Sequence, residues 1–206
     1  MNDTQDLEST RRRGRRQLLA LAALFFVPLA IAFWLYYGPS HWRPGGGTNN
    51  GDLISPALPL PAVSLARPDG SPTGDQFLRG KWTMLYIGDG ACDDRCRKVL
   101  YLTRQSRIAL NKDMDRVQRV FLVTGHCCDS TYLAAEHPDL TIALLDGPAG
   151  ANLLGTFPAY GQEPAAAGRV YIVDPLGNLM MSYPQGAPDK ALLTDMKKLL
   201  RLSHIG

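Results

Sequence analysis

From Leu18 to Tyr37 the chain reads LLALAALFFVPLAIAFWLYY, without one charged residue. At about 1.5 Å per residue a helix over this run is about 30 Å long, the thickness of a bilayer's hydrocarbon core. Pro28 is compatible with a membrane helix. Trp34, Tyr36 and Tyr37 sit at the far end, where aromatic side chains favour the membrane interface. Arg11, Arg12, Arg13, Arg15 and Arg16 precede the run and predict that the amino terminus stays cytoplasmic. Ala30-Ile31-Ala32 resembles a signal-peptide cleavage site, but the apolar run continues through Phe33 to Tyr37, which favours a retained anchor. Gly14-Arg15-Arg16-Gln17-Leu18-Leu19 is only faintly like a twin-arginine export signal. On any of these readings the remainder of the chain lies outside the cytoplasm. The layout suits a single-pass protein of a bacterial inner membrane with its C-terminal domain in the periplasm.

The expected organisation is a cytoplasmic basic tail over 1–17, a transmembrane anchor over 18–37, a flexible linker over 38–61 and a folded domain over 62–206. Gly45-Gly46-Gly47, Asn49-Asn50-Gly51 and the prolines of SPALPLP give the linker slack and reach. A hydrophobic share of 45% and a charged share of 20% exclude disorder for the bulk of the chain. The net charge is +3, with a block of arginine ahead of the anchor, so no basic stripe remains to bind nucleic acid. His41 and His204 are expected to be solvated, and His137, before Pro138, to cap helix carbonyls.

Within the domain, Ala62–Ala66 reads as a short strand before a turn at Pro68-Asp69-Gly70. Trp82–Gly88 reads as a buried strand, Arg97–Lys112 as a helix and Val117–Thr124 as a second core strand. A short helix over Ser130–His137, capped by Asp129 or Ser130, precedes a strand over Leu140–Leu145 and a helix over Ala151–Phe157. Val170–Val173 and Leu179–Tyr183 form a hairpin about Asp174–Asn178. Leu192, Leu193, Met196, Leu199 and Leu200 make one stripe of a closing helix over Pro188–Leu202. This order predicts an α/β thioredoxin-like fold, a central mixed sheet flanked by helices, behind one transmembrane helix.

The four cysteines, Cys92, Cys96, Cys127 and Cys128, are too few for a disulfide scaffold in 206 residues, and their clustering points to chemistry. Cys92-Asp93-Asp94-Arg95-Cys96 directly follows the first core strand, and Cys96 opens the next helix, where partial positive charge favours a thiolate. Cys92 and Cys96 are the candidate catalytic pair, with Cys92 as the exposed attacking sulfur; a static disulfide is the plainer alternative. Asp93 and Asp94 make the loop acidic, either to attract a cation or as solvated turn residues. His126-Cys127-Cys128 follows the neighbouring strand. Two strands joined by a helix run parallel, so both loops are expected on one rim of the sheet. Cys127 and Cys128 are candidate resolving thiols; one of them as an apolar filler is the alternative.

Gly80-Lys81-Trp82-Thr83-Met84-Leu85-Tyr86-Ile87-Gly88 followed by Cys92-x-x-x-Cys96 resembles the Sco/SenC family, as does Tyr171-Ile172-Val173-Asp174-Pro175-Leu176-Gly177-Asn178. The anchor and linker match too, and the resemblance spans residues 60 to 202. It implies a thioredoxin-like fold and a role in building the copper centre of cytochrome c oxidase, with an oxidase subunit or other assembly factors as partners. It also implies copper held by both cysteines and a distal histidine. The corresponding stretch here, Glu163-Pro164-Ala165-Ala166-Ala167-Gly168, has no histidine, and Arg97 replaces the proline usual after the second cysteine. Two thiolates alone suit Cu(I), whereas Cu(II) wants a nitrogen ligand. Either His126 completes a Cys92, Cys96, His126 copper set, or the protein has given up stable copper storage and acts as a thiol–disulfide reductant. A non-catalytic scaffold or accessory subunit of the oxidase assembly complex is the alternative from another class, and a peroxiredoxin-like activity lacks its residue pattern.

Overall fold

The computed structural model describes residues 3–38, 47–203 and 205–206; His41, His204 and most of the glycine-rich part of the expected linker lie outside these. The chain divides into two units, Met1–Thr48 and Asn49–Gly206. Among its described residues the first holds one helix, α1, Asp3–Tyr37, which contains Pro28. Its stretch Arg11–Tyr37 is long and apolar enough to cross a membrane.

The second unit is a six-stranded mixed sheet in the order β1-β6-β5-β2-β3-β4. Its strands are β1 (Asp52–Pro59), β2 (Trp82–Asp89), β3 (Val117–Thr124), β4 (Leu140–Leu144), β5 (Val170–Val173) and β6 (Asn178–Tyr183). Helices α2 (Asp94–Ile108), α3 (Ser130–Glu136), α4 (Gly147–Leu154) and α5 (Asp189–Leu202) surround it. Because successive strand residues point to opposite faces, β2 feeds two layers. Leu85 and Ile87 enter one cluster with Val120, Leu122, Tyr171 and Val173. Met84 faces the other side, with Ile172 and with Leu192, Met196 and Leu200 of α5.

Three expectations are corrected. Asp52–Pro59, read as flexible linker, is an edge strand antiparallel to β6, its register broken between Leu53 and Leu58. Prolines are tolerated on an edge, where the missing N–H costs no ladder bond, and Ile54 and Leu58 still pack inward. Ala62–Ala66 is not a strand: it makes one isolated bridge, Ala66 to Pro72, with Leu65 buried beneath. The helix expected at Ala151–Phe157 starts earlier, at Gly147, with proline in its first turn, a position where the absent N–H is harmless.

Arg119, in the middle of β3, is fully buried. Its guanidinium donates to Asp139 Oδ1 (3.0 Å), Thr103 Oγ1 (3.2 Å), the Leu100 carbonyl (2.7 Å) and His137 Nδ1 (3.3 Å). Burial pulls its pKa down to about 10, and Asp139 opposes the shift, so it stays charged at neutral pH. His137 is the C-cap residue of α3, as its place before Pro138 suggests, but its buried side chain meets Arg119 and Tyr132 and not the helix carbonyls. Guanidinium has no acceptor, so Nδ1 must present a lone pair and the ring proton sits on Nε2, 3.1 Å from Tyr132 Oη.

Burial, and next the Arg119 charge, push His137 down from 6.5 to about 4. A depressed histidine binds its proton more readily in the unfolded chain, so stability is complete above about pH 6.5 and falls as pH drops towards 4. The expected loss over that window is on the order of 3 kcal/mol. Urea unfolding at pH 7 and pH 4.5 measures it, and His137→Gln should flatten the difference; an undiminished slope in that variant assigns it elsewhere.

Candidate functional site

β2 and β3 run parallel in register from Trp82↔Val117 to Asp89↔Thr124. Their C-terminal ends therefore share a rim, and each leads into a cysteine loop. At the first, Asp89 accepts from the Ala91 N–H (2.8 Å), and Cys92 sits at φ 49°, the left-handed region that side chains rarely adopt. Asp93 is the N-cap of α2 and accepts from the Cys96 N–H at 3.0 Å. That bond is the main reason its carboxyl lies below the usual range. Cys92 and Cys96 are joined as a disulfide, and both are buried, at 1% and 2% exposure. This corrects the expectation of an exposed Cys92. They share an apolar cluster with Tyr86, Leu100, Phe121, Val123 and Leu133. Burial holds the Tyr86 phenol above its ordinary pKa.

The pair nonetheless borders a cleft of about 510 Å³, facing Gln162, Ala165, Ala166, Gly168 and Gln185. The facing segment overlaps Glu163–Gly168, the stretch for which the sequence resemblance implied a distal histidine and which has none. It is held from behind by Arg169, whose guanidinium lies 3.9 Å over the Tyr160 ring and donates to Ser182 Oγ, while Asp52 pairs with it. Sequence patterns carried no signal for Gln162 or Gln185, because their place depends on two distant loops meeting.

On the second loop Cys127 and Cys128 are also disulfide-bonded to each other. Cys127 is exposed, and Cys128 is half-buried against the cluster that contains Cys92 and Cys96. The loops touch: the Asp129 N–H donates to the Gly90 carbonyl at 3.0 Å, and a Cβ at Gly90 would lie 2.9 Å from Cys127 Cα. Arg97 ties them, donating to the Cys92 carbonyl (3.2 Å) and to Asp129 (2.9 Å) and stacking over Tyr132 at 4.4 Å. The residue directly after the second cysteine thus bridges the two cysteine loops.

His126 is exposed and is not among the residues lining the cleft. Among the described residues no group of three or more His, Cys, Asp and Glu side chains is placed to hold a metal ion. The donors lining the cleft are two sulfurs tied to each other, the side-chain amides of Gln162 and Gln185, and the carboxylates of Asp89 and Asp93, which accept from backbone N–H groups; this set does not fit a stable three-ligand copper centre.

A family model described as transmembrane-like, thioredoxin-like, C-terminal domain matches residues 82–203, and one described as transmembrane-like, N-terminal domain matches residues 8–39. No curated protein sequence matches the chain. Apo Sco1 from Thermus thermophilus is similar in fold at 20% identity and a TM-score of 0.59, covering 75% of this chain and 99% of that one. Yeast Sco1 with copper bound is similar at 18% identity and a TM-score of 0.60, covering 73% and 96%. The thioredoxin domain of a thiol-disulfide oxidoreductase from Bacteroides vulgatus is similar at 15% identity and a TM-score of 0.52, covering 71% and 99%. With more than half its length matched, helix and folded domain alike, the chain belongs to the transmembrane-like, thioredoxin-like family.

Proposed function

We propose that this protein is a membrane-anchored, Sco-like thiol–disulfide oxidoreductase of cytochrome c oxidase assembly, with Cys92 and Cys96 as its redox pair. The observation that carries the reading is the Cys92–Cys96 disulfide at the rim of a thioredoxin-like sheet, bordering a cleft. The arginines within α1, ahead of its apolar run, support a cytoplasmic amino terminus and a periplasmic domain in a bacterial inner membrane. In the reduced protein a thiolate of the pair attacks a partner disulfide, and the second cysteine displaces it, leaving the partner as a dithiol and Cys92–Cys96 oxidised. The partner is an oxidase subunit or another assembly factor whose copper-site cysteines need reduction. Copper would be cargo rather than a resident cofactor: the reduced pair offers two soft donors for Cu(I), with the exposed His126 of the neighbouring loop as a nitrogen candidate.

Redox titration of the full chain in detergent, read by thiol labelling, should show Cys92–Cys96 interconverting reversibly, and Cys92→Ser should abolish this. Stoichiometric Cu(I) uptake by the reduced protein, lost in Cys92→Ser, would instead place metal transfer first. A second reading, a non-catalytic scaffold of the assembly complex, is favoured by the 1% and 2% exposure of the two cysteines. It prevails if the pair stays oxidised at every potential tested.

A further inference from the structure

We infer that Cys127–Cys128 is a second redox centre, which accepts electrons from a protein dithiol and passes them to the buried Cys92–Cys96 disulfide. The inference rests on the redox reading of Cys92 and Cys96 and adds the route by which that pair is recharged.

The two disulfides differ in access. Cys127 faces solvent, whereas Cys92 and Cys96 are buried at 1% and 2% exposure. Thiol–disulfide exchange needs a thiolate in line with a disulfide sulfur, so a protein donor meets the vicinal pair more readily than the buried one. Cys128 stands between: half-buried, it packs against the apolar cluster that holds Cys92 and Cys96. The loops are fastened by the Asp129–Gly90 backbone bond and by Arg97, which grips Asp129 and the Cys92 carbonyl together. Gly90 allows the approach, since a side chain there would run into Val123 and Cys127.

The electron count closes over two exchanges. A donor thiolate attacks Cys127 and releases the Cys128 thiolate; the donor's second thiol displaces Cys127, leaving the vicinal dithiol and an oxidised donor. The Cys128 thiolate then attacks the Cys92–Cys96 disulfide, forming one mixed disulfide and freeing one thiolate. Cys127 attacks Cys128, restores the vicinal disulfide and leaves Cys92 and Cys96 as the dithiol. Two electrons and two protons have moved from the donor to the buried pair.

The test uses the full chain in detergent micelles, oxidised, with reduced thioredoxin as the protein dithiol and a trialkylphosphine as a small reductant. Thiols are trapped over time and assigned by mass spectrometry. With thioredoxin, Cys127 and Cys128 thiols should appear before those of Cys92 and Cys96. The Cys127→Ser, Cys128→Ser double variant should slow thioredoxin-driven reduction of Cys92–Cys96 by about tenfold or more, with the phosphine rate unchanged. Cys127→Ser alone should accumulate a mixed disulfide between Cys128 and the buried pair. If Cys92 and Cys96 thiols appear first, or at the wild-type rate in the double variant, the relay is overturned while the redox pair stands. If Cys92–Cys96 resists both reductants in every form, the relay and the redox pair fall together.

Discussion

Arg119→Ala should lower the unfolding free energy by about 3–5 kcal/mol, a large share of the 5–15 kcal/mol typical of a domain. The guanidinium is fully buried and donates to four partners from two parts of the chain, α2 and the segment between α3 and β4. Truncation leaves His137 Nδ1 in the interior without its donor, removes one donor from the Leu100 carbonyl, which keeps Thr103 Oγ1 at 3.0 Å, and opens a cavity in the layer between β3 and α2. Asp139 is one-third exposed and can be rehydrated, so the orphaned imidazole nitrogen and the void dominate the cost. Arg119→Met refills the volume without the hydrogen bonds and should fall between wild type and Arg119→Ala. The same variants should relieve the charge pressing on His137 and weaken the acid dependence described above. Chemical denaturation at pH 7 is the check; a cost below about 1 kcal/mol for Arg119→Ala would mean that water satisfies the network.

Arg119 also marks where sequence reasoning stopped. VQRVFLVT was legible as a core strand from its β-branched and aromatic residues, but nothing local tells a solvated arginine from one sunk among Leu100, Thr103 and His137. The α5 stripe gave the same difficulty: its apolar period was legible, while Asp195 within the buried face was not. Strands β2, β3, β5 and β6 were readable because their burial is continuous or alternating. The shared rim of the two cysteine loops followed from β2 and β3 being parallel, and the register bears it out. β1 was missed because Pro56 and Pro59 mimic a linker, and only pairing with β6 makes it a strand. The depth of Cys92 and Cys96 was not legible either, since it comes from Tyr86, Phe121 and Leu133, brought together by three different elements.

Removing the Asp195 carboxylate is the second large perturbation, and it acts on the β1 edge of the sheet. Asp195, 2% exposed, accepts from the Asn50 N–H (2.7 Å), the Gly51 N–H (3.0 Å), Asn50 Nδ2 (2.9 Å) and Tyr183 Oη (2.9 Å). It ties α5, β6 and the residues leading into β1 at one point. Burial, together with this bond, holds the Tyr183 phenol far above its ordinary range. Hydrogen bonds to a charged acceptor contribute about 1.5–3 kcal/mol each, and their losses at one site do not simply add. Asp195→Ala should therefore cost about 2–4 kcal/mol, with Asp195→Asn milder because one carbonyl acceptor remains. The loss should also be local. β1 is an edge strand with a broken register, so its amides should exchange with solvent faster than those of β2 and β3, which are buried on both sides. Hydrogen exchange that rises across Asp52–Pro59 while β2 and β3 stay protected would match this account. A uniform rise, or none, would show that β1 is held by its pairing with β6 and not by the carboxylate at its root.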